Sequence, residues 1–98
     1  MSSDLNKLTV LGAGVLGGQI AWHSAYMGKD VVVYDLFDEA LGRCRVAHEQ
    51  YAEIYSADLG ASEEELNQTR QRLRYSTDLA DAVALADLVI EAVPEIPE

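Results

Sequence analysis

Three glycines at fixed spacing, Gly12, Gly14 and Gly17, stand between a short apolar run, Leu8-Thr-Val-Leu11, and a stretch with helical character. Few patterns constrain a backbone more tightly. A glycine in the first position permits a sharp turn out of a strand. One in the second lets the backbone come close to a ligand, and one in the third lets the following helix lie close on the strand. The N–H groups of Gly14, Val15, Leu16 and Gly17 then lie at the helix start, where they lack intrahelical acceptors and share the positive end of the helix dipole. Such groups suit a phosphate. Gly-x-Gly-x-x-Gly after a strand and before a helix is therefore the pattern of a dinucleotide site that holds a pyrophosphate.

The next apolar run, Val31-Val-Val-Tyr34, ends in Asp35, 18 residues after Gly17. A carboxylate there is placed to accept hydrogen bonds from the adenosine ribose hydroxyls. Asp is also a common turn and cap residue. The strand, loop, helix, strand and acid all in register favour the ribose role. Leu36, Phe37, Asp38 and Glu39 follow, with no Lys or Arg to meet a 2′-phosphate and with carboxylates to repel one. The cofactor expected from the residues is NAD rather than NADP.

Periodicity predicts a strand over 7–11, a helix over 15–27 and a second strand over 31–35. In the first helix, Leu16, Ile20 and Met27 form the expected apolar stripe, with Ala21 and Ala25 beside it and Gly28 as the left-handed cap. A long helix over 39–58 follows, with Ala40, Cys44, Ala47, Tyr51 and Ile54 as its stripe and Gly60 as its stop. Ser62-Glu-Glu-Glu65 reads as a capping box for a helix to Arg72. A strand over 73–76, a short helix from Thr77 or Asp78 to Ala84 and a strand over 88–93 complete the pattern, and Pro94 closes it. Strands alternating with helices give an α/β fold. We expect a Rossmann-type doubly wound parallel sheet, partial at about four strands, with a helical hairpin inserted between strands 2 and 3. In the order 3-2-1-4 the ends of strands 1 and 4 flank the cofactor crevice.

The domain reading is an N-terminal arm over 1–6 and a dinucleotide-binding domain over 7–98, truncated on its C-terminal side. Strand 4 would then be an uncovered apolar edge, which native sheets avoid. The net charge of −10 argues against nucleic acid or an anionic membrane as a partner. A single cysteine, Cys44, excludes an internal disulfide and fits a cytoplasmic protein. The sequence has no apolar span of membrane-crossing length and no metal-ligand pattern. Cys44 falls on an apolar stripe and reads as core. His23 and His48 lie on helices away from the strand ends and read as surface or partly packed residues.

Val10-Leu-Gly-Ala-Gly-Val-Leu-Gly17, the Val-Val-Val-Tyr-Asp35 strand, the hairpin, Tyr75-Ser-Thr-Asp-Leu79 and Ala86-Asp-Leu-Val-Ile-Glu-Ala-Val-Pro-Glu95 occur in one order. In this the chain resembles the 3-hydroxyacyl-CoA dehydrogenases, from about Lys7 to Glu98. The resemblance implies oxidation of an L-3-hydroxyacyl thioester, or a related 3-hydroxy acid, to the 3-oxo form with hydride passing to NAD. It implies that Ala92 and Glu95 lie near the nicotinamide ribose, with Glu91 as a further candidate. It also implies a small-molecule substrate, a homodimer for the full-length protein and a catalytic His–Glu pair beyond residue 98. No catalytic residue is expected in this chain.

The family's hairpin helps to hold coenzyme A through hydroxyl and basic side chains. Here the corresponding stretch, Tyr51 to Asp58, carries no Lys or Arg. Arg70, Arg72 and Arg74 are the candidates to compensate. The alternative function is a regulatory dinucleotide-sensing domain without catalysis, from which the hairpin would be missing.

Overall fold

A computed structural model of the chain describes residues 6–92. The elements run β1 (Lys7–Leu11), α1 (Val15–Tyr26), β2 (Asp30–Tyr34), α2 (Asp38–Leu59), α3 (Glu63–Arg72), β3 (Leu73–Ser76), α4 (Leu79–Val83) and β4 (Leu88–Glu91). The four strands are parallel and lie in the order β3-β2-β1-β4. The doubly wound order is as expected, with β2–α2–α3–β3 as the extended crossover. The arm over 1–5 and the residues after Ala92, including the expected end of strand 4 at Val93, lie outside the described residues.

The central strands carry branched apolar side chains because both of their faces are covered. Leu8, Val10, Val31 and Val33 are each at most 3% exposed and form one core with Ala21 and Ala25 of α1 and Leu41 and Cys44 of α2. Thr9 is buried as well, and its hydroxyl donates to the Ala82 carbonyl of α4, so the polar group is satisfied. A second core lies under the hairpin. There Trp22 of α1 packs with Ala52, Ala61 and Leu66, flanked by Tyr26, Tyr51 and Tyr55.

Two expected stripes are rotated. In α1 the buried residues are Gly17, Gly18, Ala21, Trp22 and Ala25, whereas Leu16 and Met27 are 61% and 68% exposed. The helix is clasped between sheet and hairpin, and only its small residues and Trp22 fit those two contacts. In α2 the buried set is Leu41, Cys44, His48 and Ala52, and Ile54 is half exposed. The helices start and stop on local signals. Ser62 and Glu65 form the reciprocal capping box. Gly60 ends α2 at φ 67°, a left-handed conformation that glycine reaches without a Cβ penalty.

Among the described residues, β4 lies at one edge of the sheet. Its Leu88 and Val89 are 41% and 43% exposed, and Leu85 beside it is more so. At the start of this strand, Asp87 accepts from the backbone N–H groups of Asn6 and Lys7, which fixes the β1–β4 register.

Candidate functional site

The C-terminal ends of β1, β2 and β4 open onto one cleft of about 540 Å³, lined by Gly12, Ala13 and Gly14, by Asp35, Leu36 and Phe37, by Ala40 and Arg43 of α2, and by Leu79 and Glu91 among others. This is the crevice position that a doubly wound sheet offers a ligand.

The glycines differ in what holds them. Gly12 turns out of β1 at φ 112°, and its N–H still pairs with the Tyr34 carbonyl at 2.8 Å. Gly14 caps α1 without a side-chain hydrogen bond, and a Cβ built on it meets nothing within 4 Å. Gly14 lines the cleft, and the space beside it leaves room for a ligand to approach the backbone. A Cβ on Gly17 would lie 1.9 Å from the Gly12 carbonyl oxygen and 3.4 Å from the Ala92 Cβ. The helix therefore lies close because Gly17 sits on the turn itself and on the end of β4. Val15 and Leu16 expose their side chains, 75% and 61%, around the helix start.

Asp35 lies one residue past β2 and joins the two loops. Its Oδ2 accepts from the Ala13 N–H at 2.9 Å and its Oδ1 from the Phe37 N–H at 3.0 Å. Each oxygen keeps a further lone pair for a ligand hydroxyl. Ala92 is 7% exposed, with its N–H donating to the Leu11 carbonyl at 2.8 Å. It is a floor beneath the glycine turn. Glu91 lines the cleft, and Glu95 lies outside the described residues.

His48 corrects an expectation. It is 1% exposed rather than a surface or partly packed residue. Its Nε2 faces the Gly18 carbonyl at 2.9 Å, so Nε2 carries the hydrogen and donates, and the Tyr75 hydroxyl donates to Nδ1 at 2.6 Å. Both ring nitrogens are satisfied, which is why an imidazole is tolerated there. Burial pushes the imidazole below its usual pKa and keeps it neutral. The ring ties α1 to α2 and β3 just behind the glycine turn. Cys44, one turn earlier, is buried as expected, and desolvation together with the Asp35 charge raises its thiol pKa to about 11. His23 is exposed and shares a hydrogen bond with the Tyr55 hydroxyl.

The three arginines considered for coenzyme A are committed inside the chain. Arg70 grips Glu49 through two nitrogens at 2.9 Å each. Arg72 donates to the Ala25 carbonyl near the end of α1, and Arg74 pairs with Asp81. Sequence reading missed a different cation, Arg43, because it was sought next to Asp35. Phe37, Ala40 and Arg43 are spaced by threes, and that repeat was the available signal for one helix face.

Fold and site define a Rossmann-type dinucleotide-binding domain. Residues 7–98 match the family model described as 3-hydroxyacyl-CoA dehydrogenase, NAD binding domain, and the chain belongs to this family. NAD is the cofactor of the domain. The chain is 33% identical over 100 residues to the human mitochondrial hydroxyacyl-coenzyme A dehydrogenase, covering 93% of this chain and 31% of that protein. Among solved structures, a diketoreductase acting on dicarbonyl compounds superposes with a TM-score of 0.89 at 43% identity, covering 97% of this chain and 34% of the other. The 3-hydroxybutyryl-CoA dehydrogenase of Escherichia coli superposes with a TM-score of 0.86 at 33% identity, covering 96% and 20%. The chain thus spans about a third or less of the length of these relatives.

Proposed function

We propose that this chain is the NAD-binding portion of an oxidoreductase that interconverts an L-3-hydroxyacyl-CoA, or a related 3-hydroxy acid, and its 3-oxo form by hydride transfer. The observation that carries the reading is the pairing of open space at Gly14 with the Asp35 carboxylate across one cleft. In this reading the N–H groups of Gly14, Val15, Leu16 and Gly17 hold the pyrophosphate, with Gly12 shaping the turn. Asp35 takes the adenosine ribose through its remaining lone pairs. Ala92 and Glu95 belong to the nicotinamide side. The dinucleotide, when bound, supplies the hydride acceptor, and the chain's own residues bind and orient it.

A free 3-hydroxy or dicarbonyl acid is the second reading of the substrate. It is favoured by the internal pairing of Arg70, Arg72 and Arg74, which leaves the hairpin few free cations for a coenzyme A phosphate. The full-length protein is proposed to work as a homodimer in the cytoplasm, on a small-molecule substrate.

Fluorescence titration with NADH, NADPH and acetoacetyl-CoA tests this. NADH is expected to bind, NADPH at least tenfold more weakly. Asp35→Asn is expected to weaken NADH by about tenfold, the loss of one charged hydrogen-bond acceptor. Absence of NADH binding, or equal affinity for both dinucleotides, overturns the proposal.

A further inference from the structure

The chain contains five arginines, and four have an internal partner. Arg70 holds Glu49, Arg72 the Ala25 carbonyl and Arg74 Asp81, while Arg45 lies over the Tyr75 ring at 4.6 Å. Arg43 alone has no hydrogen bond, ion pair or ring contact among the described residues. It is left so although Glu39 precedes it by one helical turn, the spacing at which a Glu–Arg pair forms readily. Arg43 is one of the residues that line the cofactor cleft.

Its surroundings select the chemistry that it can meet. Asp35 on the same cleft, with Asp38 and Glu39 at the start of α2, makes this end unfavourable for a second phosphate. The same end carries apolar side chains with nothing over them among the described residues: Leu36 is 67% exposed, Phe37 63% and Leu79 49%. A planar, weakly hydrated cation among apolar side chains suits a flat heterocycle with a π face.

We propose that Arg43 binds the purine of the dinucleotide, laying its guanidinium plane on the ring while the apolar side chains of the cleft cover the remainder. The inference rests on the reading of this cleft as the NAD site and adds the residue that fixes its adenine end. The purine is held by a face, which neither the glycine turn nor Asp35 can supply.

The test compares Arg43→Met, which keeps the length and apolar stem, with Arg43→Lys, which keeps the charge without the plane. Affinities for NADH and for adenosine monophosphate as a competitor are measured beside urea unfolding. Arg43→Met is expected to weaken both ligands by about five- to tenfold, in line with a partly desolvated cation–π contact. Arg43→Lys is expected to recover less than half of that loss, with the unfolding midpoints unchanged. Unchanged NADH affinity in Arg43→Met overturns the proposal. So does full recovery by Lys, which means charge alone, and so does a loss for NADH without one for the monophosphate, which means contact with the pyrophosphate. If the parent protein binds no NADH, it is the underlying site assignment that fails.

Discussion

Replacing each of three glycines by alanine separates folding from binding. At Gly17 the new Cβ falls 1.9 Å from the Gly12 carbonyl oxygen and 3.1 Å from its carbon. Favourable carbon contacts begin near ~3.5 Å, so the turn or the helix has to shift by more than about 1 Å. Overpacking of this kind costs about 1–3 kcal/mol. The atom in the way is backbone, at a residue already held at φ 112°, so the upper end applies. Alanine recovers about 1 kcal/mol over glycine inside a helix. The net loss is about 2 kcal/mol, or a fall of about 1 M in the urea midpoint for an m-value of about 2 kcal/mol/M. At Gly18 the nearest atoms are the Cys44 Sγ at 3.5 Å and the His48 Nε2 at 3.9 Å, ordinary contacts. There the propensity gain survives and stability rises by about 0.5 kcal/mol. At Gly14 there is open space and φ is −73°, so stability holds within about 0.5 kcal/mol, while NADH affinity falls at least tenfold. Trp22, 1% exposed, reports unfolding by its fluorescence, and NADH emission reports binding. A Gly17→Ala protein as stable as the parent, or a Gly14→Ala protein with unaltered NADH affinity, refutes the reasoning.

His48 and Cys44 give further tests. Because the folded protein holds His48 below its usual pKa, the unfolded chain takes up a proton first, near pH ~6.5. Its stabilising contribution is full above that pH and is lost as pH falls through the depressed value. His48→Gln, which retains a donor and an acceptor but does not titrate, is expected to flatten the stability profile between about pH 7 and 5. An equally steep profile removes His48 as its source. Cys44, 3% exposed and with its thiol pKa at about 11, is expected to resist a disulfide reagent at pH ~8 until the protein unfolds. Prompt labelling of Cys44 in the folded state contradicts its placement.

The backbone plan was legible because each element carried its own signal. Gly12 and Gly28 stand at positive φ, Ser62 and Glu65 close the capping box, and the valines of β2 alternate between buried and half-buried positions. The sides of the helices were less legible. Hydrophobic size pointed to Leu16 and Met27, but contact on a sheet selects small residues, and the turn selects Gly17. In α2 two stripes one residue apart compete, and the buried one is interrupted by the polar ring of His48. Its partners, the Gly18 carbonyl and the Tyr75 hydroxyl, are remote in sequence. The glycine turn and Asp35 of the candidate site could be read directly. Arg43 enters it through the course of α2, which only the fold supplies.

Asp35 bears on how freely this cleft could change over time. Its two oxygens hold Ala13 and Phe37, so the residue proposed to discriminate between dinucleotides is also the pin between two loops. On the proposed assignment, a substitution of Asp35 that admits a different cofactor is expected to loosen the glycine turn in the same stroke. A replacement able to accept from both amides, or a second change that restrains the Ala13 loop, has to come first. Under that proposal, cofactor choice in this domain is protected by the architecture of its own loops.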